Sequence, residues 1–579
     1  MARLDTRVEC RIRIEREEIR YTVSFVRLEQ YLDRHHLLKV GIKHGRGAEA
    51  QDFLDFSAFT GFLGKSISLS LEPRGGVVED ARKLEFVGVV TQVNLENTVD
   101  GLNQVVFTAH SPTIALDGAP RYTINVDQMA SDIINDILQQ YEITVGKVTS
   151  TQKTIPYSVQ YHESDYAYVM RLATSHGLFA FYDGQKFHAV KADGSRSEEL
   201  RWRQTLGLFS LGLGTASPNQ GTRVWDPVGK EVLASEFTGA PSGAAPSQTS
   251  RVSLDASEAL YRPLGFTPVP KAADMASIDA ALTRAKEAAV GRMVTCLGES
   301  IVPALAVGMC ARVAGMDRFD GQYYVTSVTH LLEESGQYHN EFVCIPLDVA
   351  YASLLHQRLP ITHLQSALVT DNNDPEKLGR VKVKFAWTDG GTSLWVRMAQ
   401  PYAGKDRGWY TIPEINDEVL VGFEHGDPDM PVVIGSLYNS KDTPHADGPD
   451  PDDKVKMFTT RSGNQVIFTD ADGSEEIKIT QKDGKNVIVL GLSGPAITVQ
   501  SEGDVKIKGA TIALESTGGD ITIKSSAALK QESSADLQLK AGANFKAEGS
   551  ANCEIKGGAQ TKVEGGAMTE VKGAIVKIN

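Results

Sequence analysis

The chain has 579 residues, too many for one hydrophobic core, so three or more domains are expected. Apolar residues make up 41%, and no stretch approaches the ~20 consecutive apolar residues of a membrane-spanning helix. The opening MARLDTRVECRIRIEREE carries charges where a secretory signal needs an apolar run, so assembly in the cytoplasm without a signal peptide is expected. A net charge of -14 repels nucleic acid and anionic membranes. Cys10, Cys296, Cys310, Cys344 and Cys553 are far apart with no CxxC pair, which argues against a disulfide scaffold or a cysteine zinc site.

In chain order, residues 1–360 read as mainly β with a few helices. Lys83 to Val93 and Gln322 to Thr329 carry the β-branched and aromatic residues of strands. From Asn125 to Tyr141, the residues Val126, Met129, Ile133, Ile134, Ile137 and Leu138 recur at helical spacing and predict one amphipathic helix. Further helices are expected over Asp165 to Ser175 and Met275 to Val290. Thr238 to Ser250, rich in Gly, Pro and Ser, reads as an exposed loop, and the acidic, proline-containing Lys441 to Asp453 as a linker. Past Val455 there is no Trp, Tyr or His, and short strands are expected at Gln465 to Thr469, Glu476 to Thr480 and Asn486 to Leu490.

An eight-residue repeat follows. Alanine recurs at 527, 535, 543, 551, 559 and 567, and glycine at 549, 557, 565 and 573. Ile521, Leu529, Leu537, Phe545 and Cys553 run on the same frame, with Leu539, Ile555, Val563 and Val571 two positions further on. Apolar residues at x and x+2 share one face of a strand, whereas a helix would rotate them round all its faces. Ordering eight backbones costs ~8 to 16 kcal/mol, and burying two aliphatic side chains returns only ~3 to 6 kcal/mol. One chain cannot close such a turn; three would supply about 24 residues per turn and form a triangular prism. Lys540, Glu554, Lys556, Lys562, Glu564 and Lys572 then make its solvated outer face. The competing readings are a disordered Gly/Ala/Ser/Lys tail and a calcium-binding β-roll, whose GGxGxD repeat is missing.

Signals for chemistry are sparse. His35, His36 and His44 cluster beside Asp33 without a recognised metal-ligand spacing, and read as a polar surface turn. His162, Glu163 and Asp165 could divide acid and base roles, but Ser164 or Asp165 can equally cap the helix that follows. Glu424, His425 and Asp427 surround a GDPD turn. There is no GxxxxGK[ST] loop and no GxSxG elbow.

Gly379 to Asn439 holds GRVKVKF, SLWVRMAQPYAG and GWYTIPEINDEVLVGFEHGDPDMPVVIGSLYN, in which Val381, Val383 and Phe385 alternate, as do Val419, Val421 and Phe423. The string resembles the OB-fold domain of VgrG spike proteins of type VI secretion and of phage baseplate spikes. Pro156 to Gly184, PYSVQYHESDYAYVMRLATSHGLFAFYDG, resembles the hub segment of the same family, and the octads its triple-stranded β-helix. The resemblance implies a phage-hub-like module at 1–360 with two barrel-like subdomains and helices. It further implies an OB barrel at 361–440, a linker at 441–454 and an intertwined needle at 455–579.

The implied function is that of a structural spike in a contractile injection machine, not an enzyme and without catalytic residues, metal or cofactor. Implied partners are two further copies in a homotrimer, the inner tube protein, baseplate proteins, effector cargo and, transiently, the target membrane, but no nucleic acid. The trimer core of the needle falls to Ile521, Leu529, Leu537, Leu539, Phe545, Ile555, Val563 and Val571. No histidine follows His445, so the HxH metal tip of some phage spikes is missing, and a PAAR-like tip protein is expected to seat on Val576, Ile578 and Asn579. Trp387, Trp395, Trp409, Tyr410, Arg397 and Arg407 leave room for a barrel that binds oligonucleotides or sugars, although barrel core and trimer contact is the stronger use. A glycan-binding or wall-degrading spike, and a phage or bacteriocin tail spike, are the rival readings.

Overall fold

The computed structural model describes residues 4, 6–43, 56–75, 82–97, 103–217, 220–227, 229–237, 248–261, 265–266, 275–352, 358–388 and 391–578. It divides into two compact units, Met1–Pro444 and His445–Asn579.

Alternating apolar residues build the first unit from a ring of strands: β1 (Thr6–Ile14), β2 (Thr22–Tyr31), β3 (Leu37–Lys43), β4 (Ser66–Pro73), β5 (Leu84–Asn97), β6 (Asn103–His110), β7 (Gly321–Glu333) and β8 (Gln337–Pro346). Pairing runs β7-β2-β3-β6-β5-β4-β1-β8, and β8 pairs back to β7, so the ring closes. Closure removes the open edges that would otherwise template aggregation. Ile12, Leu28, Val40, Leu69, Phe86 and Phe107 point inward and are almost fully buried. The β7–β8 hairpin also belongs to a second, half-barrel sheet with Ser197–Arg201, Cys310–Ala314, Val294–Ser300 and Leu206–Leu213. Gly298 sits there because a Cβ would meet the Phe342 ring at 2.1 Å.

The strands Arg121–Met129 and Thr154–Glu163 pair antiparallel, flanked by helices α1 (Ala130–Gln139) and α2 (Asp165–Ser175). Asn125 to Met129 is therefore strand, not the start of the expected helix. Its register against Thr154–Ser158 supplies ladder bonds that outweigh the helical spacing, and leaves Val126 outward at 43% exposure. Ile133, Ile134, Ile137 and Leu138 do form the buried stripe of α1. Helix α2 has the expected bounds, and Ser164 caps it by accepting a bond from the Ala167 N–H at 3.2 Å. Helix α3 (Gln248–Leu260) was not foreseen, whereas α4 (Met275–Val290) was. Of the expected loop Thr238 to Ser250, residues 238–247 lie outside the described residues, and its end begins α3.

A smaller barrel follows, with strands β9 (Gln365–Asp371), β10 (Lys382–Phe385), β11 (Arg397–Met398), β12 (Glu418–Phe423) and β13 (Pro431–Ser436) in the order β10-β9-β12-β13-β11. Reciprocal bonds between Val381 and Val396, at 3.0 and 2.7 Å, close it. Val369, Val381, Val383, Phe385, Val419 and Val421 fill its core.

A polar chain is buried where the ring meets the half-barrel. The Asn340 side-chain amide donates to Tyr338 Oη and to the Val302 carbonyl, both at 2.8 Å, and Ser300 Oγ donates to Asn340 Oδ1 at 2.8 Å. Tyr338 Oη lies 2.7 Å from His330 Nδ1. His36, fully buried beside Phe86 and Tyr182, bonds through Nε2 to the Tyr31 carbonyl at 3.2 Å. Burial holds both His330 and His36 down to about 3.

Each of these histidines is neutral in the folded chain and titrates near its ordinary value once unfolded. The stability they contribute is therefore complete above about pH 6.5 and declines as the pH falls toward 3, at about 1.4 kcal/mol per pH unit for each. Denaturant midpoints of the first unit should fall between pH 6.5 and 5, burial of His110 and His176 adding to the effect, and His330→Gln should make that fall shallower.

Candidate functional site

The residues singled out for chemistry take structural partners. Glu163 and Arg171 form a bidentate pair at 2.7 and 2.8 Å, 8% and 17% exposed, and Arg171 also reaches the Val159 carbonyl at 3.1 Å. Asp165 is buried and accepts from Arg121 and Gln160, each at 2.8 Å, and from Tyr141. His162 lies 2.9 Å from Tyr122 Oη at a bulge with φ 51°. The carboxylates thus lock the strand pair to α2.

His35 bonds through Nδ1 to Thr113 Oγ1 at 2.9 Å, with its ring 4.0 Å from that of Tyr166. The expected surface turn is corrected here: His36 is core, because residues remote in sequence close over it. His44 lies outside the described residues. Among the described residues no group of three or more His, Cys, Asp or Glu could hold a metal ion, and no helix is long and apolar enough to cross a membrane.

The GDPD turn proves to be a clamp that the sequence did not disclose. Asp429 accepts the Val159 N–H at 2.7 Å and Arg358 at 3.3 Å, Arg358 pairs with Asp427, and Arg358 Nη1 donates to the Val159 carbonyl at 2.6 Å. Burial and neighbouring Asp429 push the Asp427 carboxyl up, although Arg358 pulls the other way. Beside it, Trp387 stacks on Phe385 at 4.9 Å, donates to Gln365 Oε1 at 2.8 Å, and meets the rings of Tyr122 and Tyr161 at 5.8 and 5.3 Å. This joins the small barrel to the Arg121–Met129/Thr154–Glu163 pair. Lys382 stands 5.0 Å over Trp395, and Arg397 pairs with Glu424. Trp409 and Tyr410 instead point out, 53% and 79% exposed. The candidate aromatics therefore divide between a buried seam and an open surface.

The second unit begins as a five-stranded meander, β14 (Val455–Thr459), β15 (Gln465–Thr469), β16 (Glu476–Thr480), β17 (Asn486–Gly491) and β18 (Ala496–Ser501), each paired antiparallel with the next. Register places Phe458, Val466, Ile479, Ile488 and Val499 in one row across the sheet. Phe468, Ile477, Leu490 and Ile497 form a second row on the same face, ending at Lys456. The opposite face mixes Met457, Ile467, Lys478, Val489 and Thr498. The apolar face is open, with Phe468 44%, Ile479 49% and Val499 59% exposed.

Beyond Ser501 the backbone bends at 502/503 and 510, and then every eight residues at 518/519, 526/527, 534/535, 542/543, 550/551, 558/559, 566/567 and 574/575. At the serine corners the hydroxyl donates to the carbonyl three residues on, Ser525 to Ala528 at 3.2 Å and Ser533 to Asp536 at 3.1 Å. At Gly549, Gly557 and Gly565 a Cβ would lie 2.4 to 2.5 Å from the carbonyl in that same position, which explains glycine there.

Ile521, Leu529, Leu537, Leu539, Phe545, Ile555, Val563 and Val571 are all exposed, from 54% to 80%. Val576 is 48% and Ile578 90% exposed, and Asn579 lies outside the described residues. The frame also extends upstream, since Val505 and Ile507 repeat the spacing of Ile497 and Val499 in β18. Among the described residues the octads thus carry an apolar stripe that is left exposed.

Residues 44–336 match the phage tail baseplate hub (GPD) family, and residues 365–438 match the type VI secretion system/phage-baseplate injector OB domain. The chain is 33% identical over 229 residues to the type VI secretion system spike protein VgrG5 of Pseudomonas aeruginosa, covering 33% of the chain and 28% of that protein. It is 32% identical over 170 residues to VgrG1b of the same organism, covering 26% and 23%. It therefore spans less than a third of the length of these curated relatives. A Francisella PdpA–VgrG complex shares the fold at TM-score 0.53 and 10% identity, over 86% of this chain and 89% of that one.

Replacing Arg171 by Met strands a buried carboxylate and should cost ~3 to 5 kcal/mol. Thermal unfolding checks this, and a double variant Arg171→Met with Glu163→Gln should recover part of the loss.

Proposed function

The chain belongs to the phage tail baseplate hub family, and we propose that it serves as the central spike of a contractile injection machine. The observation that carries this is the succession, on one chain, of a hub-family region, an injector OB domain and an apolar octad segment that one copy leaves uncovered. The curated relatives are named as type VI secretion spike proteins, which favours that class of machine.

In this reading three copies assemble. Residues 1–360 dock on the inner tube and baseplate proteins, the barrel at 361–440 and linker at 441–454 transmit the thrust, and residues 455–579 wind into a triangular prism. Ile521, Leu529, Leu537, Leu539, Phe545, Ile555, Val563 and Val571 face its axis, where interchain burial offsets the ordering cost that a single octad cannot meet. Lys546–Glu548 and Lys562–Glu564 pairs lie on the solvated outside. Val576, Ile578 and Asn579 seat a separate tip protein; the solved complex of a Francisella VgrG with PdpA supports attachment of other proteins to such a spike. The spike is built in the cytoplasm and delivered outward with effector cargo, acting by mechanical force and not by catalysis.

Light scattering at micromolar concentration should give three chains per particle; a monomer overturns the reading. Cys553 tests the prism at one level, since it is the frame residue between Phe545 and Thr561. Three thiols round one axis can form only one disulfide, so oxidation with copper phenanthroline should cross-link no more than about two of every three chains.

A further inference from the structure

We propose that the apolar face of the Val455–Ser501 meander is the clasp through which three copies first engage, and that the octads close only after it. The inference rests on the trimeric reading and names the surface that decides it.

Three observations point to this face and this occupant. One of its rows, Phe458, Val466, Ile479, Ile488 and Val499, is apolar across all five strands and the other across four, up to Lys456, whereas the opposite face is broken in mid-sheet by Lys478 and Thr498. Its strands are already ordered within one chain by four antiparallel ladders, so covering the face carries no further backbone ordering. The described octads hold no strand, so each must gain its ladder and its cover together. Finally, Ile497 and Val499 belong both to the face and to the octad frame that runs on through Val505 and Ile507. Whatever covers the face must continue along the octads with the same spacing. A second and third copy of this chain satisfy that requirement, and an unrelated partner would have to reproduce the whole repeat.

Association therefore begins on a preformed surface and propagates toward Asn579, which also sets the register of the three chains. A register slip of one residue would turn every apolar row outward.

The test compares three variants of the full chain by light scattering across a concentration series, with circular dichroism confirming that the first unit stays folded. Ile479→Lys with Ile488→Lys should be monomeric, or require at least a hundredfold higher concentration to associate. Leu537→Lys with Leu539→Lys should remain trimeric while its last octads become open to protease. Val489→Lys, on the opposite face beside Lys478, should remain trimeric. The clasp is overturned if the first variant stays trimeric or if the second becomes monomeric. Either result leaves the trimeric reading standing, whereas a monomeric unaltered chain removes that reading itself.

Discussion

An octad is too short to bury what it carries. Two aliphatic side chains cannot offset the ordering of eight backbones, and the second unit shows the result, with residues from Ile521 to Val571 in the open. Everything else about that unit follows from this deficit. The corners are built from serine and glycine, lysine and glutamate stand between the apolar positions, and the meander ahead of the repeat has a preformed apolar face. In the proposed trimer, ladder bonds and burial would both come from the other copies, so association and folding of the octads would be one event.

The first unit solves the opposite problem, since it holds enough chain to close its own surfaces. Its eight-stranded ring has no free edge, and the β7–β8 hairpin serves two cores at once. Neither core can loosen without disturbing strands that the other uses. The GDPD clamp extends this logic to the small barrel, where Asp427, Asp429, Arg358 and Val159 form a compact knot of charge and backbone. Such a knot costs desolvation and contributes geometry in return. It fixes how the barrel sits on the strand pair.

What could be read from the sequence divides along contact range. Helix Asp165–Ser175 was legible because its cap and stripe are local, and Val381, Val383 and Phe385 because strand alternation is local. Asn125–Met129 misled because Val126 and Met129 fit a helical period, while the deciding ladder partners lie at Thr154 and beyond. His36 misled for the same reason: Phe86 and Tyr182, which enclose it, are remote in sequence. Arg358 offered no signal, since nothing nearby announces a partner at Asp427. The meander's apolar rows were visible as short strands, but only register shows that they share one face.

The corners of the repeat carry one more implication. Because bends recur every eight residues, the length of the segment is quantised. Between Val505 and Ile521 the apolar pairs step by seven to Ile512 and then by nine, so that the slip cancels and the phase is restored. A lineage can therefore lengthen or shorten this part of the chain only in whole octads, or in errors that repair each other. The length of the segment is thus counted in whole octads, each adding one more corner to the same frame.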